Sequence, residues 1–199
     1  MEQTICIFGD SIVWGSWDPE EGGWVSRLRS YLETSDYEIR VYNCGVSGDN
    51  TDNLLQRFDV EATAREPSIV IFAIGINDSQ YANSKNNSRV PIERFQYNLQ
   101  KLINKAKKFT QKIIFLSLTK VDESKTMPVP WDTTKYYDEE NVKKYNSKIK
   151  DICNKNNLPF IDIFDLLDNS DLEDGLHPNQ EGHKKIFLKI KDFLQGYMS

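Results

Sequence analysis

The run Ile69-Val70-Ile71-Phe72 is apolar at every position. A strand with one wet face alternates apolar and polar side chains, so an unbroken run predicts a strand covered on both faces. Such a strand belongs inside a parallel sheet with helices above and below it. The rest of the chain supplies those parts. Ser68 to Ile74 extends the run, and Thr4 to Phe8, Glu38 to Tyr42, Lys112 to Leu118 and Pro159 to Ile163 are further strand candidates. Between and after them, apolar residues recur at helical spacing. The stripes are Trp24, Val25, Leu28 and Leu32; Leu54, Leu55 and Phe58, with Thr51 or Asp52 as cap; Phe95, Leu99, Leu102, Ile103 and Ala106; Val142, Tyr145, Ile149 and Ile152; and Ile186, Phe187, Ile190, Phe193 and Leu194. Strand then helix, five times over, predicts an α/β fold with right-handed crossovers. With no repeat, linker or low-complexity tract, residues 1–199 read as a single domain.

In folds of this class ligands bind beyond the C-terminal ends of the strands. Four post-strand segments carry small or polar groups: Gly9-Asp10-Ser11, Gly45-Val46-Ser47-Gly48, Gly75-Ile76-Asn77-Asp78 and Asp174-Gly175-Leu176-His177-Pro178. The chain has only two histidines, His177 and His183, so imidazole proton transfer falls to one of them. An Asp-x-x-His turn can aim its carboxylate at Nδ1 and leave Nε2 free as a base. Pro178 suits the first turn of a helix and puts His177 at a loop-to-helix junction. Acyl transfer needs a nucleophile, a base, a group orienting the base, and donors for the oxyanion. Ser11, His177 and Asp174 can fill the first three roles. The N–H of Ser11, the N–H of Gly48 and the side-chain amide of Asn77 can fill the last.

These blocks closely resemble those of the SGNH hydrolase family, also called GDSL esterases. Gly9-Asp10-Ser11 matches the first block, with Ile12 where Leu is common. Asn43-x-Gly45-x-Ser47-Gly48-Asp49-x-Thr51 matches the second, Gly75-x-Asn77-Asp78 the third, and Asp174-x-x-His177-Pro178 the last. The resemblance spans residues 5 to about 183. It implies a three-layer α/β/α sandwich with a five-stranded parallel sheet, flavodoxin-like in arrangement. It also implies a serine esterase with Ser11, Asp174 and His177 as catalytic residues, and Ser11, Gly48 and Asn77 as the oxyanion hole. No Gly-x-Ser-x-Gly elbow is present, which disfavours the α/β-hydrolase alternative.

The remaining candidate groups have simpler readings. Ser47 reads as a turn serine, Cys44 as a small packed residue, and His183 as a structural helix residue. Asp10 and Asp78 read as turn residues, so no metal and no cofactor are expected. Trp14, Trp17, Trp131, Tyr136 and Tyr137 can stack on a substrate ring or simply pack their loops. A net charge of −5 and a pI near 5.2 argue against a nucleic-acid partner. The lysine clusters Lys101 to Lys108, Lys143-Lys144 and Lys184 to Lys191 lie on helical segments as solvated faces. The longest apolar stretch, Ile69 to Ile76, is too short to span a bilayer, and Met1 to Thr4 carries no leader-like pattern. A cytoplasmic protein is the simplest reading. Three cysteines without a Cys-x-x-Cys suggest neither disulfides nor zinc.

The expected partner is a small-molecule ester, with a homo-oligomer left open. The segment from Thr119 to Tyr137 is a long polar loop, and so is Ser79 to Arg89 with Gln80, Asn83, Lys85, Asn86 and Asn87. Neither suits a long acyl chain, so short acyl groups of acetyl type are expected. A thioesterase or lysophospholipase could use the same groups. A non-catalytic ligand-binding relative would not need all of them, and a nucleotide or flavin binder would need the phosphate loop this chain lacks.

Overall fold

A computed structural model of the chain describes residues 3–36, 38–84 and 87–198. Met1, Glu2, Lys85 and Asn86, which entered the readings of the N-terminus and of the Ser79–Arg89 loop, lie outside the described residues. The central sheet has five parallel strands in the order β2-β1-β3-β5-β7. They are β1 (Gln3–Gly9), β2 (Ile39–Gly45), β3 (Ile69–Ala73), β5 (Ile113–Leu116) and β7 (Phe160–Ile161). The long helices are α2 (Gly23–Ser35), α3 (Thr51–Arg65), α5 (Ile92–Ala106), α7 (Glu139–Asn156) and α8 (Gln180–Met198), and the single turn α4 (Ile76–Ser79) follows β3.

Two apolar clusters explain the unbroken run in β3. Val70 and Phe72 join Cys6, Phe8 and Phe115 under α3, α5 and α7. Ile69 and Ile71 join Ile5, Ile7 and Ile114 under α2 and α8. Successive side chains of one strand thus feed opposite cores, and a fully buried Ile or Phe contributes about 1.5–3 kcal/mol relative to an exposed one. The α/β/α arrangement anticipated from the alternation is the one observed. Every stripe residue of α2, α5 and α7 is buried. In α8, Ile186, Ile190 and Leu194 are buried, and Phe187 and Phe193 pack at the margin.

Several local expectations change. The cap of α3 is Asn50, not Thr51 or Asp52. Its side chain accepts from Asn53 N while the Asn53 side chain accepts from Asn50 N, a reciprocal box. β7 is only two residues long because Ile163 N turns to the Ser117 hydroxyl at 2.6 Å instead of a ladder partner. The Thr119–Tyr137 segment is not simply a polar loop. It holds α6 (Glu123–Thr126) and β6 (Lys135–Tyr136), which pairs antiparallel with β4 (Tyr81–Ala82). Val121, Val129 and Tyr137 in it are buried.

The turn after β1 is tight. α1 (Ser11–Trp14) starts at once, with Asp10 as its cap accepting from Ile12 N at 3.0 Å. Burial pushes the Asp10 pKa from 3.8 up to about 7, against the Ile12 hydrogen bond and the pull of His177. Between those values the folded protein keeps a proton that the unfolded chain has released. Stability from this group is therefore present below about pH 4 and is lost as pH rises through about 7. An asparagine here can still accept from Ile12 N and does not titrate. Asp10→Asn should therefore gain stability relative to wild type, by more than about 1 kcal/mol between pH 5 and pH 8 in urea unfolding. A difference that stays flat with pH would show that the native carboxyl is already ionised at pH 5.

Candidate active site

Ser11 opens α1 at the C-terminal end of β1, and His177 comes from the turn before α8. Their side chains meet with Ser11 Oγ 2.8 Å from His177 Nε2. His177 Nδ1 lies 2.7 Å from Asp174 Oδ2. A carboxylate accepts, so Nδ1 carries the proton and Nε2 is left to accept from the serine hydroxyl. The turn is held by Glu173 N donating to His177 O and by a bridge between Leu172 and Pro178. Pro178 is therefore outside the helix, a correction to its expected place in the first turn. α8 begins at Gln180, and the Asn179 side chain accepts from Gly182 N at 3.1 Å.

Asp174 is 9% exposed and accepts four hydrogen bonds. Oδ1 takes Leu176 N and His177 N, and Oδ2 takes His177 Nδ1 and the Trp17 indole N–H at 2.7 Å. Burial alone would raise its pKa, and the His177 and Leu176 donors outweigh it, holding the carboxyl below its usual range. The sequence places Trp17 only among the loop aromatics. Its N–H instead clamps Asp174 while its ring stays exposed. Its backbone is left-handed, with φ 66°. Nothing in the local sequence marks that contact, which joins positions 157 residues apart.

Ser11, Gly48, Asn77 and His177 line one cavity of about 310 Å³. Among the described residues the N–H groups of Ser11 and Gly48 have no protein acceptor. Gly48 has φ +82°, and a Cβ built there would meet nothing within 4 Å. Backbone conformation, rather than close packing, is what calls for glycine. Asn77 is fixed at both ends of its amide. Its Oδ1 accepts from the Tyr137 hydroxyl at 2.7 Å, and its Nδ2 donates to Asp49 O at 2.9 Å. That orientation leaves one Nδ2 hydrogen uncommitted. The sequence marks Tyr137 only as a loop aromatic, so this contact is another that no local pattern reveals.

The rival groups take other places. Ser47 lines the cavity, while among the described residues the hydroxyl bonded to His177 is that of Ser11. Cys44 is buried against Cys6, which together with burial drives its thiol pKa upward. His183 is fully buried. Its Nδ1 accepts from Trp24 N and its Nε2 donates to Ser16 O, and burial lowers its pKa. Asp78 accepts from Thr51 N and the Thr51 hydroxyl, and burial pushes its pKa up to about 7. Among the described residues no three His, Cys, Asp or Glu side chains gather as a metal-ion set. Trp131 lies with its ring 5.7 Å from the His177 ring, and Trp14 is exposed.

A sequence model of the GDSL-like lipase/acylhydrolase family matches residues 7–185. The chain belongs to that family. A GDSL esterase/lipase of Arabidopsis thaliana is 28% identical across 96% of this chain and 64% of its own length. The esterase TesA of Pseudomonas aeruginosa is 28% identical across 58% of this chain and 54% of its own. The chain thus spans less than two thirds of these curated relatives. A lipase/acylhydrolase structure from Enterococcus faecalis superposes with a TM-score of 0.81 at 23% identity, covering 98% of this chain and 96% of that one. An acetylxylan esterase from Geobacillus stearothermophilus gives 0.75 at 21%, covering 94% and 92%. Both share the fold of this family member. Among its described residues, no helix is long and apolar enough to cross a membrane.

Tyr137→Phe removes the donor to a buried amide oxygen and leaves the ring in place. It should destabilise the fold by about 1–3 kcal/mol in urea unfolding. A loss under about 0.5 kcal/mol would show that Asn77 finds another partner at little cost.

Proposed function

We propose that this protein is a serine esterase that hydrolyses small carboxylic esters through a covalent acyl-enzyme. The carrying observation is the pair of contacts from Ser11 Oγ to His177 Nε2 at 2.8 Å and from His177 Nδ1 to Asp174 at 2.7 Å. In this reading Ser11 Oγ attacks the acyl carbon as its proton passes to His177 Nε2. Asp174, held ionised by its four donors, stabilises the imidazolium that forms. The oxyanion is met by Ser11 N–H, Gly48 N–H and the free hydrogen of Asn77 Nδ2. His177 then protonates the departing alcohol oxygen. Water repeats the cycle on the acyl-enzyme: His177 takes its proton, the carboxylic acid leaves, and Ser11 recovers its hydrogen. Family membership and esterase relatives support the same reaction class.

A short acyl group is the finer part of the proposal. The cavity is lined by Ser11, Ser16, Ser47, Gln80, Arg89 and Lys135 as well as by Trp131, Tyr137 and Leu176. A long chain laid over the polar members would leave them unpaired, at about 1–3 kcal/mol each. The acetylxylan esterase named above acts on acetyl esters, which agrees with a small acyl site.

A fluorophosphonate should label Ser11 alone among the serines, and Ser11→Ala should abolish both labelling and turnover. A label on Ser47, or none on active protein, would remove the assignment. Across p-nitrophenyl acetate, butyrate, octanoate and palmitate below their aggregation limits, kcat/KM should fall from acetate onward. A maximum at octanoate or beyond would instead favour the thioesterase or lysophospholipase reading, since each methylene on an apolar wall contributes about 0.8 kcal/mol.

A further inference from the structure

We propose that the groove leading away from the Ser11 cavity past Arg89 and Lys135 binds an anionic group, a carboxylate or phosphate, carried by the alcohol half of the ester. This rests on the esterase reading above and names the substrate class for that site.

The groove is continuous with the candidate active site. A second cavity of about 500 Å³ shares Ser47, Gly48, Gln80, Arg89 and Lys135 with the first, and continues over Asp49, Asn53 and Thr134. Charge along it does not cancel. Asp49 is paired with Arg57 at 2.6 Å, and Lys135 with Asp132 at 3.0 Å. Arg89 also faces both cavities, and among the described residues it has no carboxylate partner. In a chain with a net charge of −5, an unmatched guanidinium at the mouth of the site runs against the overall charge.

Arg89 is also held in place. Its Nη1 donates to Gly48 O at 2.9 Å, so the guanidinium rests on the loop whose N–H faces the reacting centre. Its field is felt at the buried Tyr137 hydroxyl. A guanidinium carries five N–H donors in a planar fork, and this one commits one of them, leaving an edge for a planar or tetrahedral oxyanion. Lys135 has three donors and gives one to Asp132, so it can share the same anion. Gln80 and Ser47 supply neutral donors beside them, while Thr134 gives both its N–H and its hydroxyl to Asp132. The first cavity accommodates a short acyl group, so the arm that reaches the groove is the alcohol. An anion gains charge-assisted hydrogen bonds from the exposed Arg89 edge that a neutral arm cannot make, which is the basis of selectivity.

The test compares 4-acetoxybenzoate with 4-acetoxybenzamide, and 1-acetylglycerol 3-phosphate with 1-acetylglycerol. In at least one pair kcat/KM should favour the anion by about tenfold or more at low salt, with the ratio shrinking as salt is added. Whether the carboxylate or the phosphate pair shows the larger ratio identifies the anion. Arg89→Gln should bring the ratio close to one, and Arg89→Lys should keep most of it, which a purely structural role would not do. Wild-type ratios at or below one in both pairs, or a ratio unchanged by Arg89→Gln, would overturn the proposal. So would selectivity that appears only with an acyl-side anion, as in p-nitrophenyl hemisuccinate against the butyrate. Failure of the esterase reading is distinguished by calorimetry on Ser11→Ala, which needs no turnover. There, 4-hydroxybenzoate or glycerol 3-phosphate should bind about tenfold or more tighter than 4-hydroxybenzamide or glycerol, and adding Arg89→Gln should erase the difference. Equal binding of charged and neutral forms would refute the anion site whatever the enzyme's chemistry.

Discussion

The level at which the strands end governs the geometry above them. Parallel pairing places Gly9 opposite Gly45 on one side and Ala73 on the other. That row has to be small. A Cβ on Gly9 would lie 2.3 Å from Ala73 O and from Val13 Cγ2, and one on Gly45 would lie 2.4 Å from Trp14 N. With those atoms absent, α1 folds down directly on the sheet end, and Ser11 is presented within one residue of leaving β1. The loops after β2 and β3 leave the sheet at the same height. Ser11, Gly48 and Asn77 therefore line one cavity without any of the three strands being unusually long.

Level ends do not by themselves hold loops still, and here the loops are tied to one another. Arg57 reaches from α3 to Asp49 at 2.6 Å and to Gly9 O at 3.1 Å, joining the first and second loops. Asn77 binds Asp49 O and Tyr137, joining the second and third loops to the segment after β5. Asp78 accepts from the first residue of α3, and Asn98 of α5 donates to the Thr51 hydroxyl at 3.0 Å. Each such bond nets about 0.5–1.5 kcal/mol when made, but leaving one half-made in a buried place costs more than that. The network therefore favours one arrangement of the loops over near neighbours, which is what a set of convergent donors requires.

The parts readable in the sequence were those written in local periodicity or contiguous blocks. β3 betrayed its two covered faces by its unbroken apolar run, and α5 and α7 betrayed theirs by spacing. The four post-strand blocks fell where the fold places them, and Ser11, His177 and Asp174 do meet. The rest depended on distance. Trp17 and Asp174 are 157 residues apart and Tyr137 and Asn77 are 60 apart, so no window of sequence contains either pair. The Lys135–Tyr136 strand is two residues long and exists because Tyr81–Ala82 lies beside it. The α3 cap failed for a different reason. Asn50, Thr51 and Asp52 are all good cap types, and the choice among adjacent candidates was made by the reciprocal bond with Asn53. Pro178 misled because proline is also at home in extended segments, and here it bridges Leu172.

Ser11 and His177 are 166 residues apart. Closing so large a loop for one hydrogen bond is affordable only because packing has already closed it. α8 lies against α2 on the same side of the sheet, with Ile186 and Ile190 in one apolar cluster with Trp24 and Leu28. His183 makes that docking specific. From α8 it accepts from Trp24 N at the start of α2 and donates to Ser16 O in the loop after α1. Those two bonds need the neutral ring, and burial, by lowering its pKa, keeps it neutral. Ser16 directly precedes Trp17, whose indole holds Asp174. The second histidine takes no part in the Ser11–His177–Asp174 line. It fixes the loop from which Trp17 reaches that line, and it does so from the helix that follows His177 itself. The ends of the chain thus meet through an apolar seam first and a buried imidazole second, and the contact between Ser11 and His177 follows from both.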